Sequence, residues 1–440
     1  MGAVAKQKCL RQGSFPVPCR IPSAAAYGGL PAAGNRNGSN FNNAGNNGNY
    51  WSSTPNDSEN ANYLNFNSSN VNPQNNNNRN NGYSVRLVQT PSQDALLAEL
   101  FLSYYAARSG KRNTWAQVHF ERDLIPNLMQ LYREIVSRTY RVGRSMCFII
   151  ERPVKREVFA ASFRDRIVHH LLYRYLAPVF EPRFIHDSYS CREGKGTLFG
   201  IRRLEHHIRS ASCNHTRPAW VLKLDLLGYF MHIDRARLYD IVLTGLLSRG
   251  KHLDADFPVM EHLLRQVIFN DPVRGCYRKG AIRSWNGLPP SKSLFHAREG
   301  CGLPIGNLTS QLFSNIYLNE FDHFVKRELH CRHYGRYVDD FFVVGTDPQW
   351  LMVLIPRMAA FLDARLGLSI HPRKIVLRRV SEGVPFLGAF IKPGRRYPCR
   401  DSAARMREHL ALAFAHEPDP YRLRAILHSC RGHLAHFRSS

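Results

Sequence analysis

Ten residues, RYVDDFFVVG (Arg336 to Gly345), limit what this chain can fold into more than any other stretch. Two adjacent aspartates, Asp339 and Asp340, sit between Tyr337-Val338 and the apolar run Phe341-Phe342-Val343-Val344. That composition predicts two short strands flanking an acidic tight turn. Aspartate is common in turns, so the dipeptide alone fits an ordinary hairpin. A third carboxylate shifts the balance, because Asp225 closes another apolar run, Val221-Leu222-Lys223-Leu224. Carboxylates at buried strand ends are costly unless protonated or bridged by a cation. Three on neighbouring strand ends suit two Mg²⁺ ions, which take few carboxylates and complete their shells with water and phosphate oxygens. Such a pair supports in-line displacement at phosphorus. Asp234, in MHID, is expected to be only a helix cap.

Charge points the same way. Sixty Lys and Arg against 34 Asp and Glu give a formal net charge of +26. A field of that size favours a polyanion, and nucleic acid is the first candidate, ahead of a solvated basic surface or an anionic membrane face. No run of apolar residues is long enough to span a bilayer, and the basic N-terminus lacks the apolar core of a secretory signal. Ten cysteines without a CxxC pair fit reduced thiols, and Cys331 with His333 lacks the second ligand pair of a zinc site. A cytoplasmic location is the matching expectation.

The chain changes character near residue 90. From Asn35 to Asn81 nearly half the positions are asparagine, with few apolar residues to bury, so residues 1–90 are expected to stay disordered. Beyond them, ALLAELFLSYYAA, LIPNLMQLYREIV and FRDRIVHHLLYRYLAPVF read as helices, the last stopped at Pro178. WVLKLDLLGYF reads as a strand ending in a turn. Thr309 to Leu329 reads as a helix with Phe313, Ile316, Tyr317, Phe321 and Phe324 along one core-facing stripe. AARMREHLALAFA and YRLRAILHSCRGHLAHF suggest a small helical unit at the end.

In this setting Tyr337-Val338-Asp339-Asp340 resembles the YxDD element of reverse transcriptases, and LKLDLLGYF resembles their first palm motif. FRDRIVHH and SYSCREGKGT resemble the fingers motifs. GLPIGNLTSQLFSNIYLNEFD resembles the motif before the catalytic hairpin, and LSIHPRKIVL and VPFLGAFI the two after it. The words follow in the family's order over roughly residues 93–440. The resemblance implies an α+β right-hand polymerase fold. Fingers and a palm of antiparallel sheet plus helices would occupy 91–398, and a short helical thumb 399–440. It makes Asp225, Asp339 and Asp340 the metal-binding carboxylates, with the Leu226 carbonyl as an extra ligand and Asp340 more peripheral. Two Mg²⁺ ions are the implied cofactors, with Mn²⁺ as a substitute. Phe230 would be the steric gate against a ribose 2′-hydroxyl. Arg192 and Lys195 would grip the triphosphate, with template phosphates as the competing target. Lys374 would protonate departing pyrophosphate, and Phe386-Leu387-Gly388 would be the primer grip.

One motif narrows the subtype. Where most reverse transcriptases carry QGxxxSP, this chain has Ile305-Gly306-Asn307-Leu308-Thr309-Ser310-Gln311. That pattern resembles the enzymes of diversity-generating retroelements, which copy a template-repeat RNA with errors at adenines and transfer the mutated cDNA to a target gene (mutagenic retrohoming). Ile305 lacks the side-chain amide that could bond the nucleotide, and Gln311 replaces a rigid template contact with a flexible one. The implied partners are template RNA, the primer–template, dNTPs and a small basic accessory protein, with no homo-oligomer indicated. The asparagine run fits too. Asparagine codons begin with two adenines, and YWSSTP and GYSVRLV frame the run as in a translated template repeat. Within the class the alternatives are a retron, group II intron-like or phage-defence reverse transcriptase. Outside it stands a catalytically weak nucleic-acid-binding relative.

Overall fold

Backbone pairing starts inside the asparagine-rich segment. The computed structural model describes residues 91–437, other than 110–112, 153, 252–253 and 255, and six strands further toward the N-terminus. These are β1 (Asn35–Asn37), β2 (Asn40–Asn42), β3 (Gly48–Pro55), β4 (Asn60–Phe66), β5 (Val71–Asn78) and β6 (Ser84–Val85). They form a β1–β2 pair and a sheet ordered β5-β4-β3-β6. Asn60 lies opposite Asn78 and Asn62 opposite Asn76. A ladder forms here despite poor strand propensity because its hydrogen bonds are main-chain ones. The expectation for residues 1–34 lies outside the described residues. Contacts divide the chain into two units, Met1–Ala98 and Glu99–Ser440.

The second unit begins with helices. α1 (Pro91–Arg108) runs across the division and is followed by α2 (Trp115–Arg122) and α3 (Leu124–Val136), then by the hairpin β7 (Met146–Ile150) and β8 (Arg156–Ala160). Next comes α4 (Phe163–Phe180), capped by Ser162, whose Oγ accepts from the Asp165 N–H. The expected stop at Pro178 is not met. A proline in the last turn forfeits a single hydrogen bond, and burial of Val179 and Phe180 outweighs it.

α5 (Thr197–Ala211) leads into the central strand β9 (Trp220–Asp225), the one-turn α6 (Tyr229–His232), α7 (Arg235–Leu247) and α8 (Phe257–Ile268). Asp234 caps α7, as expected, accepting from the Ala236 and Arg237 N–H groups. The short β10 (Tyr277–Arg278) joins β7. The stretch after it is pinned by buried Glu157, which accepts from Trp285 Nε1 at 2.7 Å, Ser293 Oγ at 3.0 Å and the Leu294 N–H at 2.6 Å.

α9 (Leu308–His323) buries Phe313, Ile316, Tyr317 and Phe321, the expected stripe, and ends in a widened turn over Phe324–Glu328. Then follow β11 (Tyr334–Tyr337), β12 (Asp340–Gly345), α10 (Pro348–Phe361), β13 (Val376–Arg379), β14 (Val384–Phe386), β15 (Ala389–Lys392) and β16 (Arg395–Pro398). The helix pair α11 (Arg400–His416) and α12 (Pro420–Ala435) ends the described chain.

The central sheet runs β11-β12-β9-β13, antiparallel throughout. Its alternation sorts two faces. Leu222, Leu224, Phe341 and Val343 point one way, with Phe341 edge-on to Phe321 of α9 at 5.2 Å. Val221, Phe342 and Val344 point the other way, into a core shared with Leu204 and Ile208 of α5 and Phe386 and Ile391 of the β14–β15 hairpin. Lys223, Asp225 and Asp340 share this second face, beyond the edge of that core.

Buried His169 of α4 places Nδ1 2.8 Å from Thr309 Oγ1 of α9. Burial, with help from His170 and Arg166, lowers its pKa to about 4. The unfolded chain protonates near 6.5 and the fold only near 4, so this histidine's stabilisation is intact above pH 6.5 and declines as pH falls toward 4. Asp339 titrates in the opposite sense in part of that window, so the effect is read by difference. Between pH 7 and 5 the wild type should lose on the order of 1–2 kcal/mol more stability than His169→Gln. Urea denaturation at both pH values checks this, and parallel losses would refute it.

Candidate active site

Strand register builds the acidic cluster. β9 and β12 pair so that Asp340 lies directly opposite Asp225, while Val338 and Asp339 form the two-residue turn between β11 and β12. Val338 adopts φ +58°, a left-handed conformation unusual for a β-branched residue and costing on the order of 1–3 kcal/mol. Arg336 supplies an anchor, donating from Nη1 to the Val338 carbonyl at 2.9 Å.

Arg336 is itself wholly buried. Its Nε and Nη2 donate to Asp322 of α9 at 2.8 and 2.7 Å, and Tyr334 Oη donates to the same carboxylate at 2.7 Å. Ser188 Oγ lies 3.3 Å from Nη2. Sequence reasoning missed this pair. The available signal was an arginine inside the apolar word YGRYV and an aspartate on the buried side of an apolar helix.

The carboxylates meet two lysines. Lys374 Nζ is 2.9 Å from Asp225 Oδ2, and Lys223 Nζ is 3.6 Å from Asp340 Oδ1. Asp339 has no such partner among the described ion pairs. Burial raises its pKa to about 6, and the Asp225 charge adds to the rise. Burial likewise raises Asp340, against the pull of Lys223. The cluster thus carries an excess of negative charge in a half-buried place, a donor set of hard oxygens suited to a hard divalent cation. Among the described residues, no group of three or more His, Cys, Asp or Glu forms a ready-made cage.

The neighbouring residues divide into two groups. Leu226 is buried and bridges antiparallel to Ile370, flanked by hydrogen bonds from the Leu227 N–H to Ser369 and from the His371 N–H to the Asp225 carbonyl. Phe230 and Ile305 pack on one small cluster with Phe159, Met231 and Leu294. The Ile305 carbonyl accepts from the Phe159 N–H at 2.9 Å. Gly306, at φ +125°, is needed because a Cβ there would come within 2.8 Å of Val158. Gln311 is exposed in the first turn of α9. Phe386 is buried at the end of β14, and Leu387 and Gly388, both at positive φ, make the turn into β15.

Arg192 and Lys195 stand apart. Arg192 spends its donors on the Glu181 carboxylate at 2.8 Å and on the Ile185, Ser188 and Glu181 carbonyls. That bonding holds the loop between Glu181 and Arg192. Lys195 donates to the His186 carbonyl at 2.6 Å, and burial together with Arg192 lowers its pKa to about 8. Cys331 is buried and His333 faces His207, with no metal group around them among the described residues.

Carboxylates on adjoining strand ends, paired with lysines, form a site equipped for phosphoryl transfer. Residues 155–391 match the model of the reverse transcriptase (RNA-dependent DNA polymerase) family, and the chain belongs to that family. Residues 27–88 match a domain of unknown function, DUF8237. Protein YkfC of Escherichia coli (strain K12) is 25% identical over 353 residues, 71% of this chain and 84% of YkfC. Nuclear intron maturase 4, mitochondrial, of Arabidopsis thaliana is 25% identical over 192 residues, 43% of this chain and 20% of the maturase.

Among solved structures, telomerase from Candida albicans in complex with the TWJ fragment of telomeric RNA aligns with TM-score 0.42 and 12% identity, over 67% of this chain and 54% of that one. Apo telomerase from Candida tropicalis, truncated from its C-terminal domain, aligns with TM-score 0.39 and 12% identity, over 61% and 58%. The chain thus spans little more than half the length of these solved structures. Among the described residues, no helix is long and apolar enough to cross a membrane.

Proposed function

We propose that this family member is an error-prone RNA-directed DNA polymerase that copies a template-repeat RNA, with errors at adenines, to diversify a target gene. The supporting observation is the shared packing of Ile305 and Phe230 on one cluster. On this reading the departure from the QGxxxSP pattern and the candidate steric gate would belong to one wall of the nucleotide site. Asp225 and Asp339 would hold divalent metal, with Asp340 and the Leu226 carbonyl at the edge of the set. Mg²⁺ bound there would neutralise phosphate charge and favour ionisation of the attacking hydroxyl. Lys374, whose Nζ pairs with Asp225, would deliver a proton to departing pyrophosphate. Phe230 would crowd a 2′-hydroxyl, and the Phe386–Gly388 turn would hold the primer. Template RNA, dNTPs and a small basic accessory protein are the proposed partners. The asparagine-rich segment would serve as the RNA template repeat itself.

Primer extension on an RNA template with Mg²⁺ tests the reading. Misincorporation opposite template adenine should exceed that opposite the other bases. Ile305→Gln should reduce it several-fold, the worth of about one hydrogen bond near 1 kcal/mol. Unchanged misincorporation in that variant would sink the assignment of Ile305. The maturase likeness favours a second reading, a group II intron-like enzyme. That enzyme would copy adenines as faithfully as other bases.

A further inference from the structure

Lys223 has no role in the reading so far, yet its position is specific. It lies two residues before Asp225 on β9 and so shares its face of the sheet. Phe342 lies opposite on β12 and Val376 on β13. Its ammonium is 3.6 Å from Asp340 Oδ1 and 5.6 Å from the centroid of the Phe386 ring, with 18% of the side chain exposed. Phe386 is edge-on to Phe342 at 5.2 Å and immediately precedes the Leu387-Gly388 turn. The lysine therefore stands between the carboxylate row and the β14–β15 hairpin, holding a carboxylate on one side and a ring face on the other. A methionine would fill this slot between two phenylalanines without the cost of desolvating a charge. The charge therefore calls for a reason other than packing.

We propose that Lys223 is a positioning residue for the primer terminus, linking Asp340 to Phe386 and holding the Phe386–Gly388 turn in register with the catalytic carboxylates. This rests on the polymerase reading and on that turn as the primer-holding element. The ion pair orients the lysine along the sheet, and the cation–π contact carries that orientation to the hairpin. Lys374 makes the corresponding pair at Asp225 with no aromatic partner among the described cation–π contacts, so the hairpin link is particular to Lys223.

The test compares Lys223→Met with Lys223→Arg in the full chain. Binding of a fluorescent RNA/DNA primer–template is measured in EDTA, and steady-state extension is measured with primer–template and dNTP varied separately. Lys223→Met should weaken metal-free binding and raise the primer–template KM by roughly three- to tenfold, with the dNTP KM within about twofold. Lys223→Arg, which keeps the charge and the ring contact, should restore most of the loss. Lys223→Met leaves Asp340 without its counterion, so its melting temperature should fall modestly, by no more than about 5 °C, with a single cooperative transition that separates positioning from misfolding. Three results would each overturn the proposal: wild-type binding and primer–template KM in Lys223→Met, a loss confined to kcat, or an arginine variant as impaired as the methionine one. If the wild type makes no cDNA, the polymerase reading fails, while the metal-free binding comparison still decides the role of Lys223.

Discussion

Asp339→Asn is expected to stop primer extension, by on the order of 10³-fold or more, while making the protein slightly more stable. Both effects follow from one fact. Asp339 sits in the turn beside Asp225 and Asp340 with no lysine of its own, and its pKa is raised to about 6. A carboxyl whose pKa is higher in the fold than in the unfolded chain destabilises the fold above that pKa, and the penalty fades as pH falls through 6 toward 4. At neutral pH the asparagine variant should therefore gain on the order of 1 kcal/mol, and near pH 4 the gain should vanish. Thermal melts at both pH values, alongside extension assays, check the pair of effects. A variant that loses stability at pH 7, or keeps measurable extension, would contradict the assignment of Asp339 as a carboxylate kept for its charge.

The largest stability effect is expected at Asp322. Asp322→Asn leaves the Arg336 guanidinium charged and buried without its counterion, a change that costs about 3–5 kcal/mol. Polymerisation should fall with it, because Arg336 also holds the Val338 carbonyl and with it the strained turn carrying Asp339. The double variant Asp322→Asn with Arg336→Met removes the stranded charge. It should recover much of the stability without recovering activity, since the carbonyl anchor is still missing. Denaturant midpoints and extension rates of the two variants separate these contributions. A single variant as stable as the wild type would show that the pair contributes little.

Much of the site was legible before the structure. The Asp225 strand, the hairpin around Asp339 and Asp340, the Asp234 cap and the buried stripe of α9 all rest on periodicity and local chemistry, which act over a few residues. Arg192 shows where that reading stops. Its motif position suggests a phosphate ligand, while its bonding partners, Glu181 and three carbonyls up to eleven residues away, are brought together only by the folded loop.

By itself, the sequence determined which residues could do chemistry on phosphate: three carboxylates in apolar strands, a strongly basic chain, and an isoleucine where a glutamine would be usual. Those are properties of residue type and short spacing. Only the tertiary structure decided which charges meet. Asp340 faces Asp225 because of the β9–β12 register, Lys374 reaches Asp225 from the short turn before β13, Lys223 reaches Asp340 from the neighbouring strand, and Arg336 finds Asp322 across the core. Electrostatic energy depends on separation and burial, and both are set by contacts between distant parts of the chain.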